Sequence, residues 1–542
     1  MNRRTVAVRA ALPPLVAMVL LSVAAVPAAA HAVLEITAPQ QGSQVSSAPN
    51  SVFLRFSEAV GINERSIVVI DAQGHRVDTG RPVHPQGTAT GVEVGLRRPL
   101  PKASYTVVWH VVSADSHPVS GTFTFGYGVP AAGASVQVVA DRLVGVLDTV
   151  FRAGAYAGIV VLIGGAVFLI RLWPEGMQGV RQRRLLIAGW LVATVCTAVL
   201  FLLEGPYGAS LGVSALGDPA LAKVTFSTIY GKLLLLRLVA LVAVVPVWLS
   251  ARRSARVPSL VDAAGLAFLA VVSFSFAGHA GQGSAVPLSA TMDALHMAGA
   301  GVWLGGLAVL AVSLPGTSSA GALDPVLPRW SNLALVAVVV LIGTGIYQAW
   351  REIGSLGAVI GTDYGRLVLA KASALVVLLV LANRGRRWVR GTRAGAGLRT
   401  SVLAEVGIGA VVLGLTASLV TSVPARIAYT PPFTTRVTAP GTDGTSISLI
   451  LQVAATKTGP ETADVYAYTS SGKVLPFLGA SGMLVHDGGA ASPVRFNFLP
   501  AGTGHGRSTG LVVPARGRWR LTVQLFTDPL TGYTATTIYR VR

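Results

Sequence analysis

The sequence predicts a multidomain membrane protein in three folded parts: an N-terminal β-sandwich, a bundle of eight transmembrane helices and a small C-terminal β-sandwich. Composition, apolar runs and alternating segments each point there. With 542 residues, 52% of them hydrophobic and only 12% charged, the chain is too apolar to be wholly soluble and too long for one domain. Apolar runs fill residues 145–423, and short alternating apolar segments lie on either side of them. The formal charge of +20 sits largely at the ends of the apolar runs, where basic residues act as topology signals, so anionic lipid headgroups rather than nucleic acid are the counter-charge. The single cysteine, Cys196, lies inside an apolar run and leaves no disulfide framework and no thiolate cluster.

Residues 1–30 read as a secretory signal. Arg3, Arg4 and Arg9 precede the apolar run "LPPLVAMVLLSVAAV", and Ala28-Ala29-Ala30 fits the small-x-small cleavage pattern. The alternative is an uncleaved anchor helix, but the run is shorter than the ~20 residues a span needs. Cleavage makes His31 the first mature residue, and its free amine and imidazole can then hold one metal ion together.

Residues 31–128 alternate with period two in "SVFLRFSEAV", "SIVVIDAQG", "GVEVGLRR", "SYTVVWHVVSAD" and "GTFTFGYG", bounded by turn residues, which argues for an antiparallel β-sandwich. In "SADSHPVSG", Asp115 and His117 are two apart and so point to the same side of an extended strand. With the new N-terminus they make a set of amine, two imidazoles and a carboxylate, and nitrogen with one oxygen suits Cu(II) in tetragonal geometry. His75, His84 and His110 read as surface or edge-strand residues.

The stretches "HAVLEITAPQQGSQV", "VFLRFSEAV" and "YTVVWHVVSADSHPVSGTFTF" resemble the CopC family of extracytoplasmic copper-binding β-sandwiches, of cupredoxin or immunoglobulin-like type, over the whole domain. The resemblance implies a Cu(II) site at His31, Asp115 and His117, with Glu58 at an acidic position beside it. No Met lies between His31 and Tyr127. A separate Cu(I) site, which favours thioethers, is therefore not expected in this domain.

After a small-residue linker at 129–144, apolar runs long enough to cross ~30 Å of hydrocarbon fall at 145–172, 185–204, 230–250, 258–278, 290–313, 331–350, 364–383 and 401–423. The loops after the odd-numbered helices carry the arginines, among them Arg181, Arg183, Arg184, Arg252, Arg253, Arg384, Arg386 and Arg387, which puts those loops in the cytoplasm and both termini outside. "TIYGKLLLLR" at 228–237 and "TDYGRLVLAK" at 362–371 share one pattern, and "AGAYAGIVVLIGG" and "ALHMAGAGVWLGG" align on paired glycines. Helices 1–4 and 5–8 therefore read as two parallel copies, unless these short matches are coincidental.

Ionisable residues within spans are costly and tend to be functional. His279 in "FAGHAG" ends the fourth predicted helix, and His296 in "DALHMAGAGVWLGG" lies in the fifth near the same face. Asp293 is three residues before His296 on one helical face, while Met297 points away and packs. The His pair reads either as a Cu(I) or Cu(II) contact or as interhelical hydrogen bonding. Tyr230, Tyr364, Arg366 and Lys371 read as interfacial anchors, and Gly164-Gly165 and Gly305-Gly306 as sites of close helix packing. The series G-H-A, L-H-x-x-x-A-x-x-W-x-G-G and T-x-Y-G-R-x-x-x-x-K resembles the CopD family of copper-resistance membrane proteins, and that resemblance implies copper passage or copper tolerance.

Residues 424–542 return to strand-like segments, with His486 and His505 isolated in Gly-rich loops. The membrane part carries neither G-x-x-x-x-G-K-[ST] nor D-K-T-G, which disfavours an ATP-driven pump. The expectation is a plasma-membrane copper acceptor and conduit, not an enzyme, with copper and lipid as its partners. The alternative is a membrane-tethered protein that sequesters copper.

Overall fold

The computed structural model describes residues 32, 34–113, 118–131, 142–209, 211–254, 270–278, 286–314, 323–390, 396–487, 493–509 and 511–541. The first domain is the expected sandwich. One sheet has three strands in the order β1 (Leu34–Ala38), β3 (Ser51–Phe56) and β6 (Gly91–Gly95). The other orders β2 (Gln44–Val45), β8 (Pro118–Tyr127), β7 (Ser104–Ser113) and β4 (Val60–Gly61), with β5 (Ile67–Ile70) also paired to β7. Inward residues of both sheets, including Leu54, Phe56, Ile67, Tyr105 and Phe125, form one core, and Phe56 meets Trp109 edge to face at 5.4 Å.

Seven helices among the described residues are long and apolar enough to cross a membrane. They are α1 (Arg142–Val167, continued to Leu172 by a wider turn), α2 (Val180–Gly208), α3 (Ile229–Ser254), α4 (Val286–Ala300, continued through Gly301–Gly305 to Ser313), α5 (Leu327–Ile353), α6 (Asp363–Arg390) and α7 (Ala396–Val420). The run expected at 258–278 is described only from Ala270 onward, where it is helical to Phe276. Each of these seven helices starts earlier than its apolar run, as where the polar first turn of α6 at Asp363-Tyr364 continues the hydrogen-bond ladder beyond the hydrocarbon-like stretch.

The two halves of the bundle meet where α1 crosses α4. A Cβ on Gly164 would collide with the Gly301 carbonyl, and one on Gly305 with the Val160 carbonyl, so only glycine allows the backbones this close. Both copies of the T-x-Y-G pattern fold alike: Thr228 Oγ1 accepts the Gly231 N–H at 3.0 Å, and Thr362 Oγ1 accepts the Gly365 N–H at 3.0 Å. Each threonine stops a short preceding helix (Pro219–Ser227 and Leu356–Gly361) and caps the long one after it. The shared motif is thus a helix start. Tyr230 and Tyr364, read from sequence as interfacial anchors, are 3% and 9% exposed and belong to the packed interior.

The third domain departs from the expected sandwich. Its main sheet has eight strands in the order β18 (Gly532–Val541), β17 (Gly517–Phe526), β13 (Gly479–His486), β14 (Val494–Gly502), β15 (His505–Thr509), β12 (Ala463–Tyr468), β10 (Ser446–Val453) and β9 (Phe433–Pro440), with β11 (Gly459–Pro460) and β16 (Val512–Val513) as a separate pair. The sheet curls until β9 and β18 touch, through a Gly441–Tyr533 bridge and a Phe433–Tyr539 stack at 5.3 Å, so the fold is barrel-like. Strict alternation along β17 sends Trp519, Leu521, Val523 and Leu525 inside.

The glycine crossing gives the first prediction. Gly305→Leu should destabilise the bundle by about 1–3 kcal/mol or more, the range for overpacking, seen as a lower melting temperature of the detergent-purified protein. An unchanged melt would contradict the close crossing.

Candidate functional site

Register alone brings four segments to one end of the first domain. Leu34 pairs with Phe56, so the approach to β1 through Ala32, itself 2% exposed, runs alongside Glu58 two residues past Phe56. Val60 pairs with Ser113 and Val112 with Pro118, which places the β7–β8 hairpin beside the same segment. His31, Asp115 and His117 lie outside the described residues, but their chain neighbours Ala32, Ser113 and Pro118 all belong to this end. Glu58 is within it and 4% exposed.

That end is seated on the membrane bundle. His110 of β7 hydrogen-bonds through Nε2 to the carbonyl of Gly208, the last residue of α2. A Cβ on Gly208 would stand 2.9 Å from Val112 Cγ2, so the absent side chain is what lets β7 approach the helix end. His110, expected at the surface or a sheet edge, is therefore 5% exposed and buried in a contact between domains. Burial pushes its imidazole below its ordinary pKa, against the opposing pull of the Gly208 carbonyl. The neutral ring donates Nε2–H to that carbonyl.

Within the bundle, the half nearest the β domains gathers polar groups. His296 Nδ1 lies 2.9 Å from Thr344 Oγ1 on α5. The Thr344 hydroxyl spends its proton on the Val340 carbonyl at 2.7 Å, so it accepts from His296. Nδ1 then carries the proton, and Nε2 keeps its lone pair as the ring's metal-binding atom. Asp293 Oδ1 accepts from Gln348 Nε2 at 3.0 Å, one turn along both helices, and Asp293 interacts electrostatically with Lys371 of α6 and Arg351. Lys371, read from sequence as an interfacial anchor, acts electrostatically on both Asp293 and His296. Met297 packs into the neighbouring apolar cluster. His279 lies outside the described residues, and the described ones hold no group of three or more His, Cys, Asp or Glu able to bind a metal.

Two buried cations were missed in the sequence. Arg152 pairs with Asp148 one turn earlier on α1 at 3.0 Å and lies 5.2 Å over the Tyr230 ring. Arg237 donates Nε–H to Ser273 Oγ at 3.0 Å and stacks 3.2 Å from the Phe274 ring centre. Applying the rule that ionisable residues inside spans are functional to every residue, not only to histidine, would have found them. In the third domain, His505 Nε2 donates to Asp464 at 2.7 Å, and Arg507 Nε donates to the same carboxylate at 2.9 Å. Burial alone would raise the Asp464 carboxyl, but these two donors hold it below the usual range.

Comparison with known proteins agrees with this layout. A CopC domain matches residues 34–128, the N-terminal domain of copper resistance protein D-like proteins matches 144–290, and copper resistance protein D matches 324–419. The chain is 30% identical over 408 residues to the copper transport protein CutJ of Bacillus subtilis (strain 168), covering 73% of this chain and 74% of that one. The chain belongs to the CopC–CopD copper transport and resistance family. Copper resistance protein C of Escherichia coli is 33% identical over 104 residues, 18% of this chain and 82% of that protein. The crystal structure of CopC from Methylosinus trichosporium OB3b aligns over 20% of this chain and 100% of its own at 22% identity and a TM-score of 0.16. This CopC–CopD protein is a multi-pass membrane protein with a CopC-type first domain.

The His110 contact is pH-dependent by construction. A histidine whose pKa falls on docking stabilises the docked state fully above its ordinary value and loses that contribution as pH drops below about 6.5. Limited proteolysis between the first domain and α1 should release the first domain more readily near pH ~5.5 than near pH ~8, and His110→Gln should remove the difference.

Proposed function

We propose that the first domain captures Cu(II) outside the cell and passes copper into the bundle for uptake. The ligands are the amine and imidazole of His31, exposed by signal cleavage, with Asp115 and His117, and Glu58 beside them. His296 and His279 receive the ion at the mouth of the bundle. The observation that carries this reading is the seat of the hairpin end of the CopC-type domain on the tip of α2, at the same end of the bundle as His296. A donor and an acceptor held at one end allow hand-over by ligand exchange, each ligand of the donor leaving as one of the acceptor binds. His296 suits the role, since its Nδ1 is fixed by Thr344 and its Nε2 is left for a metal.

The distribution of arginines supports both β domains lying on the extracytoplasmic side of the plasma membrane. The second reading is sequestration, in which the bundle only tethers the copper-binding domain. Cells expressing His296→Ala should accumulate copper at several-fold below the wild-type rate, while the purified first domain keeps its metal affinity. Accumulation equal to wild type would leave sequestration as the function. Adding one alanine ahead of His31 in the mature protein should weaken Cu(II) binding by at least ~10-fold, the worth of about 1.4 kcal/mol of lost coordination, as measured by competition with a chromogenic chelator.

A further inference from the structure

The end of the bundle away from the β domains holds a pocket of about 170 Å³ that the copper path does not use. It lies between α4, α5, α6 and α7. Its walls are apolar, built from Trp303, Leu307, Leu310, Val338 and Leu379 among others. Its polar groups are Ser331, Asn383, Arg386 and Glu405. Glu405 is 4% exposed, and its carboxylate accepts Ser401 Oγ–H at 3.1 Å. Arg386 belongs to the last turn or so of α6, and its Nη2 donates to Asn332 Oδ1 at 3.2 Å, which holds the guanidinium across the α5–α6 gap.

We propose that this pocket seats one acyl chain of an anionic phospholipid, with the headgroup phosphate at Arg386. The position of the mouth decides between a water-borne and a membrane-borne occupant. Two pocket residues, Leu335 at 49% exposure and the exposed Asn383, also face the outside of the bundle, so the pocket opens sideways between α5 and α6. The neighbouring exposed residues on those helices are Val336, Val339, Val376 and Val380, the apolar surface that faces hydrocarbon in a membrane. What enters by that route comes out of the bilayer. The lining then matches a hydrocarbon chain along its depth.

Charge selects the headgroup. Arg386 lines the pocket, and Arg329, Arg384 and Arg387 are at the same end of α5 and α6, with their side chains exposed. Basic groups at the end of a span attract anionic headgroups within about a Debye length, so phosphatidylglycerol is preferred over the zwitterionic phosphatidylcholine. The bound chain would fill the gap between α5 and α6 that side chains leave open, which makes the lipid part of the packing of the second half of the bundle.

The test uses the full chain purified in detergent and mixed with phosphatidylglycerol or phosphatidylcholine, with retained lipid read by native mass spectrometry. Wild type should keep one phosphatidylglycerol through delipidation. Ala334→Trp, which fills the pocket from α5, should lose it. Arg386→Gln, a change at the rim, should keep a lipid but lower the preference for phosphatidylglycerol over phosphatidylcholine by about fivefold, the worth of one basic contact near the membrane surface. Equal retention by a folded Ala334→Trp overturns the proposal. If that variant fails to fold, Arg386→Gln decides alone: an unchanged headgroup preference overturns the proposal.

Discussion

The contact of β7 with the end of α2 is the constraint on which the rest of the molecule's logic depends. Two features of the chain create it. Gly208 has no side chain, so Val112 reaches the helix end, and His110 satisfies a carbonyl that a helix C-terminus otherwise leaves without an internal partner. Remove either and the hairpin end of the first domain loses its fixed place over the bundle. With it, the segment that carries Glu58, Ser113 and Pro118 is held at the same end as Asp293 and His296.

Inside the bundle the governing condition is that polar groups cannot be left to hydrocarbon. The structure answers with pairs. Asp148 holds Arg152, Thr344 holds His296, Gln348 and Lys371 act on Asp293, and Ser273 with the Phe274 ring takes Arg237. All of these sit in the half nearest the β domains. Among the described residues, the opposite half is nearly free of such groups apart from Glu405 and Gln182, which are hydrogen-bonded to Ser401 and Ser313. The asymmetry gives the bundle a polar mouth and an apolar far end, and the two halves of the chain share it through the glycine crossing of α1 and α4.

Much of this was legible in the sequence, and the reasons are local. Period-two alternation gave the strands of the first domain, because one face of each is buried. Apolar length gave the spans, since hydrocarbon thickness sets it. The T-x-Y-G repeats marked equivalent helix starts, because threonine caps its own next turn. What escaped was non-local. The partner of His110 is a backbone carbonyl 98 residues away, which no side-chain pattern announces. Closure of the third domain into a barrel rests on β9 meeting β18 across the whole domain, and alternation is the same in a sandwich as in a barrel. Lys371 looked like an anchor because its position near a helix start hid its electrostatic influence on Asp293.

The most direct test of the seating is a disulfide between the two surfaces. In a Cys196→Ser background, Val112→Cys and Gly208→Cys place two thiols at the contact, because a Cβ on Gly208 already lies 2.9 Å from Val112 Cγ2, the position a cysteine sulfur takes. With a protease site inserted between the first domain and α1, oxidation by diamide followed by cleavage should leave the first domain attached on a non-reducing gel and free it on a reducing one. Release under both conditions would contradict the docking of the hairpin end of the first domain on the mouth of the bundle.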